Sequence, residues 1–140
     1  IEKIAALAVL MPIVASMGGI AGTQTVTLII RAMALGQVQW RDARWLLLRE
    51  MGVSMLTGIA ISVFLAVITV AWLGTWMIAV VIVLAMVINL LTAAIVGVMV
   101  PLTLRRLNID PALSAGVILT TFTDCIGFAT LLGLGALLLT

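Results

Sequence analysis

The chain has no histidine, no tyrosine and a single cysteine, Cys125. Histidine is the commonest general base and the commonest transition-metal ligand, so its absence sets aside a histidine-based hydrolase and the usual imidazole metal sites. One cysteine can neither close an internal disulfide nor build a thiolate metal site alone. Charge is scarce as well: 9% of residues are charged, where an ordinary soluble domain carries about 25%. The arginines flank apolar segments and form no basic stripe, so there is no nucleic-acid footprint. Only one carboxylate, Asp124, falls inside an apolar segment. Intramembrane aspartyl proteolysis needs two carboxylates sharing a proton, so that chemistry is excluded too. Nothing in the residue inventory describes an enzyme.

What is abundant is apolar surface: 65% hydrophobic residues and a mean hydropathy of +1.42. The charges divide the chain. None occurs from Ile4 to Ile30, a polar band follows from Arg31 to Glu50, and none occurs from Met51 to Leu104. The second run is too long for one crossing, since about 20 apolar residues span a bilayer. Its natural break is Trp72-Leu-Gly-Thr-Trp76, a glycine turn between two tryptophans of the kind that sit at a membrane interface. The expected fold is an all-α integral membrane protein, a polytopic helical bundle with spans at about 4–30, 51–72, 77–103 and 111–139. Residues 1–140 form one transmembrane domain, with an interfacial segment over about 36–49 where Trp40, Trp45, Arg41, Arg44 and Arg49 cluster. By the positive-inside rule the basic connections 31–50 and 105–110 lie in the cytoplasm and the 72–76 hairpin outside. Both termini then lie outside, and the chain is expected to be a fragment that lacks an upstream span. The membrane expected is the cell's inner (plasma) membrane.

Three of the spans depart from plain lipid-facing helices. In the first, Ser16-Met-Gly-Gly-Ile-Ala-Gly-Thr-Gln-Thr-Val-Thr27 interrupts the apolar run with glycines, hydroxyls and an amide. Such a stretch serves either as a small-residue packing face or as backbone turned toward something other than lipid. In the third, Asn89, Ala93 and Gly97 share a helical face, the pattern of an interhelical hydrogen bond above a small-residue stripe. In the last, Ala112, Gly116, Thr120 and Asp124 recur every fourth residue, with Thr121 and Gly127 flanking. Asp124 lies about 20 Å along that helix at about 1.5 Å per residue, near the hydrocarbon midplane. An ionisable residue there costs about 2.5–3.5 kcal/mol on insertion scales and generally faces a bundle interior or a wet pathway. Cys125 points about 100° away and reads as packing.

One carboxylate with hydroxyls and carbonyls suits a hard divalent cation that keeps part of its water, magnesium before all, and does not suit dehydrated zinc. A single carboxylate is a weak site for such an ion, and a two-fold dimer would supply a second. A lone buried carboxyl also allows a proton-coupled carrier. As a protonated or amide-paired acid it would only join helices in a structural membrane subunit. Asp110 is read either as the cap of the last helix or as a second cation site at the cytoplasmic mouth.

Met11-Pro-Ile-Val-Ala-Ser-Met-Gly-Gly-Ile-Ala-Gly-Thr-Gln24, continued by Arg31-Ala-Met-Ala-Leu-Gly36, resembles the second transmembrane helix of MgtE-type magnesium channels. Asn89 through Gly97 to Pro101, then Leu104-Arg-Arg-Leu-Asn-Ile-Asp-Pro-Ala112, resembles the fourth helix and its following loop. Thr120-Thr-Phe-Thr-Asp124, with Gly127, resembles the fifth helix and its metal-binding aspartate. The resemblance runs in register over essentially the whole chain. It implies helices 2–5 of a five-helix domain, a homodimer with the pore at the subunit interface, and passage of hydrated magnesium; cobalt, manganese or calcium are lesser alternatives. Asp124, with Thr120 and Thr121, would hold the ion, and Gly18, Gly19, Thr23, Gln24, Gly116 and Gly127 would line the pore. The resemblance also implies a preceding first helix and a cytoplasmic regulatory domain with a CBS pair, neither of them in this chain. Two positions depart from the family pattern: Ile20 stands where an asparagine usually follows the double glycine, and Gly116 where some members carry an asparagine. Both remove amides that would meet the ion's hydration shell.

Overall fold

The computed structural model describes Glu2–Leu139, and in those residues the chain is all-α. Four long helices follow one another: α1 (Glu2–Ala34), α2 (Ala43–Leu73), α3 (Trp76–Arg106) and α4 (Pro111–Leu139). Each carries a stretch long and apolar enough to cross a membrane, so the chain is a multi-pass membrane protein built as a polytopic helical bundle.

The breaks between helices are local chemistry. Gly36 turns at φ 73° after α1, and Gly74 at φ 70° ends α2, its N–H donating to the Val70 carbonyl at 2.9 Å. Left-handed backbone of that kind is open to glycine at little cost. Only Gly74 and Thr75 separate α2 from α3, and the flanking Trp72 and Trp76 are exposed at that end. At the other end α3 closes through Asn108 at φ 62°, a conformation asparagine tolerates, and the Ile109 N–H returns to the Leu104 carbonyl at 2.8 Å. Pro111 opens α4, where its missing N–H is not needed. Asp110 Oδ1 accepts the Ala112 N–H at 3.0 Å and caps the helix.

The basic band forms no helix of its own. A single 3-10 turn, Trp40–Asp42, leads directly into α2, and Arg44, Trp45 and Arg49 ride on the first turns of that membrane helix. Nothing between Ala43 and Met51 breaks a helix, and Ala, Leu, Arg and Glu all favour one. Pro12 and Pro101 lie inside α1 and α3, which continue through them.

α3 is the central element. Of its most apolar window 56% is buried in the bundle, against 22% or less for the other helices, so it forms the spine on which the others pack. α1 and α4 pack on α3 and on each other, and α2 packs on α3. One core joins Leu7 and Val14 of α1 to Ile82, Met86 and Leu90 of α3 and Leu131 of α4. A second, toward the arginine-bearing end, joins Ile29 and Met33 to Leu46, Val98 and Leu102. The outer face of α2, with Leu56, Phe64 and Val67 largely exposed, is apolar and suits lipid.

Candidate functional site

The site grows out of the contact between α1 and α4, which run antiparallel. They approach closely because glycines face the contact: a Cβ on Gly22 would stand 2.6 Å from the Leu119 side chain. One turn away, Asn89 of α3 fills the space behind both helices. A Cβ on Gly18 would run into the Asn89 amide, and one on Gly127 would lie 3.0 Å from its Nδ2. The Asn89 Nδ2 donates to the Val14 carbonyl at 2.9 Å, the interhelical hydrogen bond that its helical face suggests. Its Oδ1 is buried and has no hydrogen-bond partner among the described residues.

In front of that seam, on the bundle's outer face, α1 and α4 form the walls of an open groove of about 420 Å³. Ser16, Gly19 and Ile20 line it from α1, and Thr120, Asp124 and Phe128 from α4. Asp124 is half-buried there and makes no hydrogen bond or ion pair with a described residue. The Thr120 hydroxyl donates to the Gly116 carbonyl at 2.9 Å, and the Thr121 hydroxyl to the Val117 carbonyl at 2.8 Å. On α1, Thr27 does the same to Thr23 at 2.8 Å. A threonine hydroxyl has one proton and two lone pairs. With the proton committed to its own helix, each oxygen offers only acceptor capacity outward. The Thr120 carbonyl accepts the Thr123 hydroxyl at 3.2 Å in addition to its place in the backbone ladder of α4, so it turns no free lone pair toward the groove.

The structure separates the residues singled out from sequence. Asp124, Thr120 and Gly19 line the groove together. Thr121, Gly116, Thr23 and Gln24 are exposed on the same two helices without lining it. Gly18 and Gly127 turn inward and are buried against Asn89. Asp110 is exposed at the arginine-bearing end, with one oxygen occupied as a helix cap, and Cys125 is exposed and unpaired. Pro12, Ser16 and Phe128 line the groove without standing out in the sequence as site residues. Ser16 stands one turn before Gly19 and Phe128 one turn after Asp124, so helical spacing from the chosen residues would have found both.

The donor set is carboxylate and hydroxyl oxygen, with no nitrogen or sulfur on the groove's polar side. Hard divalent cations take such ligands, and magnesium characteristically keeps several waters while doing so. Among the described residues no group of three or more His, Cys, Asp or Glu comes together. One copy of this groove therefore offers more acceptors suited to an ion's hydration shell than direct ligands.

A family model described as "Divalent cation transporter", MgtE, matches residues 11–134. The chain is 40% identical over 139 residues to the magnesium transporter MgtE of Thermus thermophilus. That alignment covers 99% of the chain and 31% of the relative. It is 28% identical over 134 residues to the magnesium transporter MgtE of Bacillus subtilis, covering 96% of the chain and 30% of the relative. The chain thus spans just under a third of the length of the curated relatives it matches.

Proposed function

Because the chain belongs to the MgtE family of divalent cation transporters, we propose that it carries hydrated magnesium across the membrane along the groove between α1 and α4, with Asp124 as the ion site. The observation that carries this reading is the half-buried Asp124 carboxylate, unpaired among the described residues, in an open groove on the outer face of a membrane bundle. Facing lipid, such a group costs about 2.5–3.5 kcal/mol even on lenient scales. The groove needs a cover that is not hydrocarbon.

A second copy related by a two-fold axis supplies one. It sets two grooves face to face, doubles the carboxylates to one Asp124 per protomer, and closes a water-lined path between them. Two carboxylates neutralise a doubly charged ion, and the acceptor oxygens of Thr120 and Thr121 take hydrogen bonds from its waters. Gly19 and Gly116 leave room for that shell, since a Cβ at either position would meet nothing within 4 Å. Thr23 and Gln24 continue the α1 wall toward the arginine-bearing end, and Gly18 and Gly127 set its shape from behind through Asn89. At that end Asp110 offers an exposed carboxylate to an arriving cation while it caps α4.

In this reading the arginine-bearing connections lie in the cytoplasm, the Trp72–Trp76 turn lies outside, and the membrane is the inner (plasma) membrane. The partners are a second copy, the bilayer, magnesium and the cytoplasmic regulatory domain that the family resemblance implies for the full-length protein. The test is magnesium flux into proteoliposomes, comparing wild type with Asp124→Ala and Asp124→Asn. Flux without a proton gradient, abolished by both substitutions, is expected. Flux that follows an imposed proton gradient would make the protein a coupled carrier, and folded wild type that passes no divalent cation would end the transport reading.

A further inference from the structure

A second cavity, of about 300 Å³, lies between the end of α1, the linker before α2 and the last turns of α3. Met33, Val38 and Leu102 make its apolar part, and Trp40, Arg105 and Arg106 its polar rim. Met33 and Leu102 are buried core residues, so the floor is fixed by packing. The rim is ordered too: the Arg106 guanidinium stands 4.7 Å from the centroid of the Trp40 ring, a cation–π arrangement that holds its planar fork in place.

Among the described residues no carboxylate forms an ion pair with this cationic rim. Six arginines lie at this end of the bundle against three acids, Asp42, Glu50 and Asp110. Each acid has one oxygen taken up by a hydrogen bond, and none forms an ion pair with a rim arginine among the described residues. Asp42 Oδ2 accepts the Gln39 N–H at 3.0 Å, Asp110 Oδ1 the Ala112 N–H at 3.0 Å, and Glu50 Oε2 the Thr25 hydroxyl at 3.3 Å. Neither Arg105 nor Arg106 forms an ion pair with a described residue.

Depth decides what such a rim meets. α3 runs from Trp76 to Arg106, about 46 Å at about 1.5 Å per residue. A bilayer with its headgroups is about 40–45 Å thick. With Trp76 at one interface, Arg105 and Arg106 reach the headgroup layer of the other, while Met33 and Leu102 stand at the upper edge of the acyl region. Cationic at phosphate depth and apolar just below, the cavity repeats the polarity profile of a phospholipid. A soluble anion would make no use of the apolar floor. We infer that this cavity binds the headgroup of an anionic phospholipid, its phosphate on Arg105 and Arg106 and the start of its acyl chains on Met33 and Leu102. The lipid bridges the end of α1, which carries one groove wall, to α3.

The test is native mass spectrometry of the purified chain released from detergent after exposure to phosphatidylglycerol or phosphatidylcholine. Wild type is expected to retain phosphatidylglycerol in preference. Arg105→Gln/Arg106→Gln should weaken that retention roughly thirtyfold, and Arg106→Gln alone roughly fivefold, from the usual contribution of a basic side chain near an anionic surface. The single variant decides the matter if the double one does not fold. Arg41→Gln/Arg44→Gln, which removes two arginines outside the cavity, should retain phosphatidylglycerol as wild type does. Equal retention by the Arg105/Arg106 variants, equal retention of phosphatidylcholine, or displacement of the lipid by inorganic phosphate would each overturn the assignment.

Discussion

Asn89, midway along α3, donates from Nδ2 to the backbone carbonyl of Val14 on α1 at 2.9 Å. The amide is fully buried, and glycines on two other helices, Gly18 and Gly127, make room for it. One polar side chain thereby fixes how far apart α1 and α4 stand, and those helices are the two walls of the groove that holds Asp124. Packing behind the groove and chemistry in front of it are coupled through this residue.

Gly18→Ala should be costly and Gly19→Ala neutral to mildly stabilising, although the two are adjacent. The first puts a Cβ into the Asn89 amide and the second meets nothing within 4 Å. Overpacking of this sort costs about 1–3 kcal/mol, whereas Ala for an open helical glycine gains up to about 1 kcal/mol. Thermal unfolding in detergent measures both. Adding Asn89→Ala to Gly18→Ala should recover part of the loss, because the clash and the hydrogen bond share one partner; strict additivity would show that the glycine is not there for the asparagine.

Asp124→Asn should leave stability unchanged within about 0.5 kcal/mol, the usual range for substitutions that break no contact. The carboxylate has no protein partner among the described residues. A marked drop in unfolding temperature would mean that Asp124 joins helices, as a structural subunit would require, and the unchanged value separates stability from the flux loss expected of the same variant.

Ile20→Asn and Gly116→Asn should fold and should favour magnesium over cobalt and calcium. Ile20 is 54% exposed in the groove wall and a side chain at Gly116 meets open space, so neither amide is forced into the core. Each adds an amide donor and acceptor at a position whose present side chain offers neither, which suits the ordered waters of a hydrated ion. Competition between the ions in a flux assay reads the effect; unchanged selectivity in folded variants would place discrimination elsewhere along the path.

Gly74→Ala should destabilise by about 1 kcal/mol, the cost of left-handed backbone for a residue with a Cβ. Gly74 sits at φ 70° with open space around it, so the penalty is conformational and not steric crowding. Gly74→Asn should lose less, since asparagine visits that region more readily. Equal losses for the two, measured by thermal unfolding, would point instead to a packing role for the turn.

Much of the architecture is legible from the residues alone. The uncharged runs, the tryptophan-bracketed glycine at Trp72–Trp76 and the Asp110-Pro111 start of α4 all mark helices and their ends through local chemistry. The resemblance of Met11–Gln24 and Thr120–Asp124 to one family is sufficient for the family itself. The fate of the polar band is less legible: Arg44 and Arg49 look interfacial by composition, yet they belong to the first turns of a continuous membrane helix, because no residue there stops it. Asn89 can be assigned to an interhelical hydrogen bond, but not its acceptor, which lies 75 positions away in sequence.

The sequence by itself determined that this is an all-α membrane protein with one carboxylate at membrane depth, because apolar run length and charge placement answer directly to the bilayer. Only the tertiary structure decided which small residues face the groove. Gly18 and Gly19, or Gly116 and Gly127, are indistinguishable as residue types, yet one of each pair is buried against Asn89 and the other is open to the outside. In water, burial and polarity separate the faces of a helix; in a bilayer the lipid is as apolar as the bundle interior, and helical periodicity no longer tells the two apart. Close packing, settled by the shape of Asn89 and the space that glycines leave, makes that choice.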